Sequence, residues 1–172
     1  MAATFTSPPH HIKAPTPLPK PLTTPSIFLS GSISPPNTPC WRSRLINSLS
    51  HLPITILDPL RPDWDSSWKE EPSSPQFLEQ VSWELHALEQ ADIVAIYFGA
   101  ETTAPVTLLE FGFAAGKGKR VVVCCQEGYQ KRGNVQILCD KLGIDVVPRP
   151  ENFPDGIIKA LQEFDIGAQR QA

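Results

Sequence analysis

Two carboxylates sit where their neighbours leave little room for charge. Glu110 lies in PVTLLEFGFAAG, where every neighbour within several residues is apolar, small or a threonine. A segment apolar nearly all round predicts a buried helix. An unpaired ionised carboxylate buried there is costly, or else it holds its proton to higher pH. Glu84 is the second anomaly. Over Gln76 to Gln90 the apolar positions Phe77, Val81, Leu85 and Leu88 predict a helical stripe, and position 84 falls on it. Glu89 falls off that face and reads as a solvated charge. Two carboxylates aimed inward from different helices suit cleavage of a glycosidic bond, one attacking or stabilising carbon while the other handles a proton. Inward acids also bind metals, but His86 points elsewhere on the helix and Glu89 off the stripe, so neither a metal nor a cofactor is expected. A simpler reading of Glu110 is a helix-surface residue, or one paired with an arginine distant in sequence.

The loop RPDWD (Arg61 to Asp65) brings a guanidinium, two acids and an indole within five residues. Trp64 and the arginine have faces that stack on a planar base, while Asp63 and Asp65 accept hydrogen bonds from ring nitrogens or sugar hydroxyls. A solvated loop around a structural Trp fits the same residues. His10, His11, His51 and His86 have no partner that spacing identifies, and no role follows for them.

The elements that must position these groups alternate short apolar runs with amphipathic segments, the pattern of a parallel α/β sheet. Strands are predicted in SIFLSGSI (Ser26 to Ile33), PITILDPL, ADIVAIYFG, RVVVCC and IDVVP. Helices are predicted over Thr38 to Leu52 (stripe Trp41, Leu45, Leu49), Gln76 to Gln90, Pro105 to Gly116, Asn134 to Leu142 and Phe153 to Phe164. Thr102 or Thr103 is placed near the cap of the Pro105 helix. The fold class is thus α/β: a flavodoxin-like or Rossmann-like three-layer sandwich around a five-stranded parallel sheet. Ligands bind such sheets outside the carboxyl ends of the strands, where the order reverses. In the order 2-1-3-4-5 this point lies between the first and third strands, at the loops GSISPPNTP and FGAETTAP. Gly31 and Ser32 would line the sugar or phosphate side, since a glycine turn lets backbone N–H groups approach a ligand.

Composition limits the alternatives. The chain has 172 residues, 15 Lys and Arg against 18 Asp and Glu, and a formal net charge of -3. That is enough chain for one domain, and too little positive charge for a nucleic acid polymer to be the partner. No apolar run approaches the length of a membrane span. Residues 1–25 carry seven of the 19 prolines and read as a disordered Pro-rich tail. The tail lacks acidic residues, as transit peptides do, but also lacks their arginines and helical periodicity. Residues 26–165 form the predicted domain, and 166–172 a flexible C-terminus. Cys124 and Cys125 are adjacent in a strand and point to opposite faces, so they are poorly placed to bridge. Cys40 and Cys139 have no zinc spacing. Reduced thiols and the absence of a secretory signal predict a cytoplasmic protein.

Taken in order, SIFLSGSI, LDPLRPDWD, QVSWELHALEQADIVAIYF, APVTLLEFGFAAGKGKRVVV and RGNV resemble the nucleoside 2-deoxyribosyltransferase-like family, in its divergent branch, from about Ser26 to Gly143. The resemblance implies that Glu110, in Glu110-Phe111-Gly112, is a nucleophile that attacks the anomeric carbon, releases the base and holds the sugar as an ester. A second base or water then takes the sugar. The family's base-orienting carboxylate, eight residues before Asp92, corresponds to Glu84. The resemblance also implies a homo-oligomer in which Asn134, in RGNV, reaches a neighbouring subunit's site. Family members carry an Asp six residues before the nucleophile that contacts a sugar hydroxyl; here that position is Ala104, with Thr103 and Thr107 as nearby substitutes. The expected partner is a small nucleoside or nucleotide. Two alternatives remain, a non-catalytic nucleotide-binding or sensing module and an NAD-cleaving glycohydrolase. The absence of G-x-G-x-x-G argues against redox use of NAD.

Overall fold

A computed structural model describes residues 10–22, 25–34 and 38–169, the last five by backbone alone. Six parallel strands form one sheet: β1 (His10–Lys13), β2 (Ser26–Gly31), β3 (Thr55–Asp58), β4 (Ile93–Phe98), β5 (Arg120–Cys125) and β6 (Val146–Val147). Their order is β1-β3-β2-β4-β5-β6. The five strands expected from the sequence take the expected 2-1-3-4-5 order, and β1 is added outside β3. Helices α1 (Trp41–Ser48) and α5 (Phe153–Gln169) cover one face, and α2 (Pro75–Gln90), α3 (Pro105–Gly116) and α4 (Arg132–Leu142) the other. Among the described residues, no helix is long and apolar enough to cross a membrane.

Strand alternation sorts the core into two halves. Phe28, Leu57, Val94, Ile96, Phe98, Val123 and Cys125 pack under α2, α3 and α4. Ile27, Leu29, Ile56, Ile93, Ala95, Val122 and Cys124 pack under α1 and α5. The adjacent cysteines do face opposite ways, and all four cysteines are free. In β2 the same alternation turns Ser30 toward α3 and Gly31 toward α1. A Cβ on Gly31 would lie 2.5 Å from the Trp41 ring and 2.7 Å from the Tyr97 carbonyl oxygen. This glycine is therefore required by close packing, with Trp41 and Tyr97 stacked at 4.7 Å between ring centroids.

Several sequence expectations are corrected. Residues 10–13 of the expected tail are a strand, because Ile12 and Ala14 bury their side chains beside Trp83 and Leu57. The expected tail residues 1–9 and the end of the chain beyond 169 lie outside the described residues. α5 runs past the expected boundary at 165 to Gln169. β2 stops at Gly31, and Ile33 is exposed. α1 is shorter than expected, since Pro39 precedes it, but Trp41, Leu45 and Leu49 are its buried stripe. On α2 the buried face is Gln80, Trp83, Ala87 and Leu88, rotated from the expected stripe, and Leu85 is exposed. Trp83 anchors that rotation by donating from Nε1 to the Thr16 carbonyl at 2.7 Å.

Gly31→Ala should destabilise the fold by about 2–3 kcal/mol, because both contacts belong to groups fixed by stacking or by the sheet. Urea denaturation of the variant beside the parent measures this directly.

Candidate active site

Glu110 occupies the second turn of α3, an apolar helix that starts at Pro105, where the missing N–H costs nothing. Only 7% of the residue is exposed. Ser30 Oγ, at the carboxyl end of β2, donates to Glu110 Oε2 at 2.5 Å, and among the described residues no hydrogen bond engages Oε1. Burial pushes the Glu110 carboxyl up to about 7; the Ser30 hydroxyl and the nearby Arg42 guanidinium oppose this, while Glu84 reinforces it. Glu84 faces the same site from α2, and burial raises its pKa too, offset by a hydrogen bond from Gln80 Nε2 at 2.9 Å and by Arg42. Gln80 also donates to the Pro59 carbonyl at 2.8 Å, which fixes the end of β3 against α2.

Arg42 reaches this site from α1. It is 5% exposed and donates to the carbonyls of Gly31 at 2.9 Å and Ser32 at 3.4 Å. Its Nε lies 3.7 Å from Asp58 Oδ1 and makes no hydrogen bond. Its charge acts on Asp58, Cys40, Glu110 and Glu84. The site thus has two carboxylates whose combined charge is offset by a guanidinium already shared with Asp58. Such an arrangement leaves one of the pair near its midpoint at neutral pH.

The other expected residues fall into separate groups. Ser32 ties the two crevice loops together: its Oγ is 2.8 Å from Thr102 Oγ1 and accepts from the Gly99 N–H at 3.0 Å. Thr102 donates on to the Gly99 carbonyl at 2.8 Å. Neither Thr102 nor Thr103 caps α3; the cap position is Ala104, in left-handed backbone at φ 40 and ψ 54, with no side-chain cap bond. Thr103 is exposed and its carbonyl accepts from Tyr129 at 3.1 Å. Asn134 is exposed on the first turn of α4, and no hydrogen bond joins it to Glu84 or Glu110.

The RPDWD loop folds onto itself and onto α2. Arg61 bonds Asp63 at 2.8 Å and Glu79 at 2.7 Å, and lies over the Trp68 ring at 5.1 Å. Asp65 accepts from the Ser67 N–H at 2.8 Å. Trp64 packs edge-on to Trp68 at 5.2 Å and is 42% exposed. No hydrogen bond joins Asp63, Trp64 or Asp65 to Glu84 or Glu110. An open cleft of about 350 Å³ between β5, β6 and α5 lies apart from both carboxylates. No group of three or more potential metal ligands gathers among the described residues.

Sequence reasoning missed Ser30, Arg42, Asp58 and Gln80. Gln80 stands four residues before Glu84, the spacing of a side-chain pair on a helix, so it was open to notice. Arg42 stands three and seven residues before the buried Leu45 and Leu49, an odd place for a charge.

A flavodoxin-like sheet with the buried Glu110 and the half-buried Glu84 near its strand-order reversal defines an α/β protein with a paired-carboxylate site. Residues 24–129, more than half the chain, match the family described as nucleoside 2-deoxyribosyltransferase like. The chain belongs to that family. A solved structure, a conserved protein from Enterococcus faecalis V583, is similar in fold, with a TM-score of 0.56 at 16% identity over 79% of this chain and 98% of that one. A search of curated proteins gave no match.

The Glu110 carboxyl has a consequence for stability. Between the ordinary value of 4.5 and about 7 the native state holds a proton that the unfolded chain has released. Stability should therefore fall as pH rises through that window and level off above it. Glu110→Gln should remove this dependence and be more stable than the parent at pH 8 by on the order of 2–3 kcal/mol, as read from urea curves at pH 5 and pH 8.

Proposed function

We propose that the protein processes N-glycosides, transferring or hydrolysing the sugar of a small (deoxy)nucleoside or nucleotide. The observation that carries this reading is the buried Glu110, hydrogen-bonded by Ser30 and facing Glu84 at the carboxyl edge of β2 and β4. Ser30 occupies Oε2 and leaves Oε1 to attack C1′. As the C–N bond breaks, positive charge grows on the sugar and favours the ionised form of Glu110 in the transition state. The departing base takes a proton from Glu84 or solvent, and the sugar is held as a Glu110 ester. An acceptor base nitrogen or a water oxygen then attacks C1′, gives up its proton to Glu84 or solvent, and releases the Glu110 carboxylate. Arg42 stabilises the ionised pair, and Gln80 orients Glu84.

The exposed Trp64 would stack on the base, with Asp63 and Asp65 as polar partners once the Arg61 contacts open. Gly31, Ser32 and Thr103 would lie at the sugar end through the crevice loops. Asn134, exposed on α4, would serve a second copy in a homo-oligomer. One observation favours a second reading, a nucleotide-binding module without turnover: Ala104 stands where the family has its sugar-contacting acid.

Incubation with deoxynucleosides, ribonucleosides, their monophosphates and NAD, with and without free base, should release base, and Glu110→Gln should abolish the release. A new nucleoside formed only with added base would make the reaction a transfer. Nicotinamide release from NAD would point to the glycohydrolase alternative instead. Absence of all turnover, with a nucleotide still raising the Tm, would leave the binding module. The rate should climb with pH through about 7 as Glu110 ionises.

Ala104→Asp should raise kcat/KM by about tenfold, the value of one charge-assisted hydrogen bond to the sugar. Asp also tolerates left-handed backbone better than Ala. Steady-state kinetics on the best substrate of the panel test it; an unchanged value would mean that the sugar does not approach position 104.

A further inference from the structure

The family match begins at residue 24, yet the outermost strand of the sheet precedes it. β1 pairs with β3 along its whole length, with His11 opposite Ile56 and Lys13 opposite Asp58. Ile12 points under α2, and its neighbour His11 therefore points to the α1 side. There His11 Nε2 lies 3.0 Å from Asp58 Oδ2. Asp58 is 1% exposed, and its other oxygen accepts from the Leu60 N–H at 3.0 Å. Both carboxylate oxygens are thus engaged, and Arg42 Nε stays 3.7 Å away with its N–H unmet. The guanidinium instead seats its terminal nitrogens on the carbonyls of Gly31 and Ser32. These residues directly follow Ser30, which bonds Glu110. The path from β1 to the nucleophile is continuous, and each link is a contact between named atoms.

We propose that His11 is a positioning residue for Glu110 and Glu84: by holding Asp58 Oδ2 it keeps Asp58 from closing on Arg42, so that Arg42 stays seated on β2 beside the two carboxylates. The strand before the family domain is thereby part of the working site. The inference rests on the reading of Glu110 and Glu84 as the reacting pair. An unmet buried N–H next to a carboxylate closes to hydrogen-bond distance when the carboxylate is free to turn. A guanidinium drawn toward Asp58 moves away from Glu110. The charged and titratable groups facing Arg42 are Asp58, Cys40, Glu110 and Glu84, and those facing Glu110 are Glu84 and Arg42, with the Ser30 hydroxyl.

The test follows Glu110 in the full chain by NMR of carbon-13-labelled Glu carboxyl groups, assigned with Glu110→Gln. His11→Ala should move the Glu110 midpoint upward by about half a unit, and His11→Gln, which still offers an N–H to Asp58, should return it. Should His11→Ala fail to fold, His11→Phe keeps the bulk and takes its place. Ile12→Ala, on the same strand but the opposite face, should lower the Tm and leave the midpoint where it was. A midpoint that stays put in the His11 variants, or moves equally in Ile12→Ala, overturns the proposal. The titration needs no substrate. A shifted midpoint in a protein that turns nothing over therefore removes the enzymatic reading alone, whereas turnover with an unmoved midpoint removes this inference alone.

Discussion

Ser30 Oγ donates to Glu110 Oε2 across 2.5 Å, from the last turn outward of β2 to the second turn of α3. Much of the surrounding arrangement follows from that contact. Ser30 must face α3, so Phe28 shares its side and Ile27 and Leu29 take the other, which sets how both halves of the core are filled. Gly31 must then face α1, where only the absence of a Cβ lets Trp41 and Tyr97 stack against the backbone. The chain leaves the sheet at that point with its carbonyls turned toward Arg42. A serine, a glycine and an arginine, all within 13 residues of sequence, thus present one buried carboxylate at the edge of the sheet.

The electrostatic balance there is deliberately incomplete in a physical sense: one cation is divided among three acids. A closed Arg42 pair with either Glu would hold that carboxylate ionised far below neutrality. Asp58 prevents this by drawing on the same charge from the α1 side. The contrast with Arg61 is instructive. That guanidinium closes on Asp63 at 2.8 Å and on Glu79 at 2.7 Å, where the acids are open to solvent and the pairing serves only to dock a loop. Burial separates the two cases. In the buried cluster, burial with only a shared cation lets Glu110 hold its proton up to about 7, whereas in the loop complete pairing secures geometry.

The fold was legible because its signals are local. Apolar runs, glycine and proline boundaries and the apolar α3 gave five strands in the order found. Glu110 stood out for the same reason, as a charge inside a segment that must be buried. Glu84 was picked out from a stripe centred on Leu85 that is in fact rotated toward Gln80 and Trp83; position 84 lies on the overlap of the two faces, so it survived the error. What escaped was non-local. Arg42, Asp58 and His11 come from three separate segments, and only the register of β1 on β3 and the reach of α1 unite them. β1 itself was hidden by the prolines around it, whose composition resembles a free tail while Ile12 and Ala14 are core residues.

Strand β1 also changes what the sheet presents at its border. All four residues of β3 are buried, and without a neighbour its backbone would offer an apolar, regularly spaced row of donors and acceptors. Such rows recruit strands from other chains. β1 covers it with a short strand carrying exposed His10 and Lys13, and Pro15, one residue beyond its end, stops the row from extending. At the opposite border β6 is two residues long. The sheet thus ends on both sides in segments too brief to template growth, and the polypeptide resists self-association through its backbone.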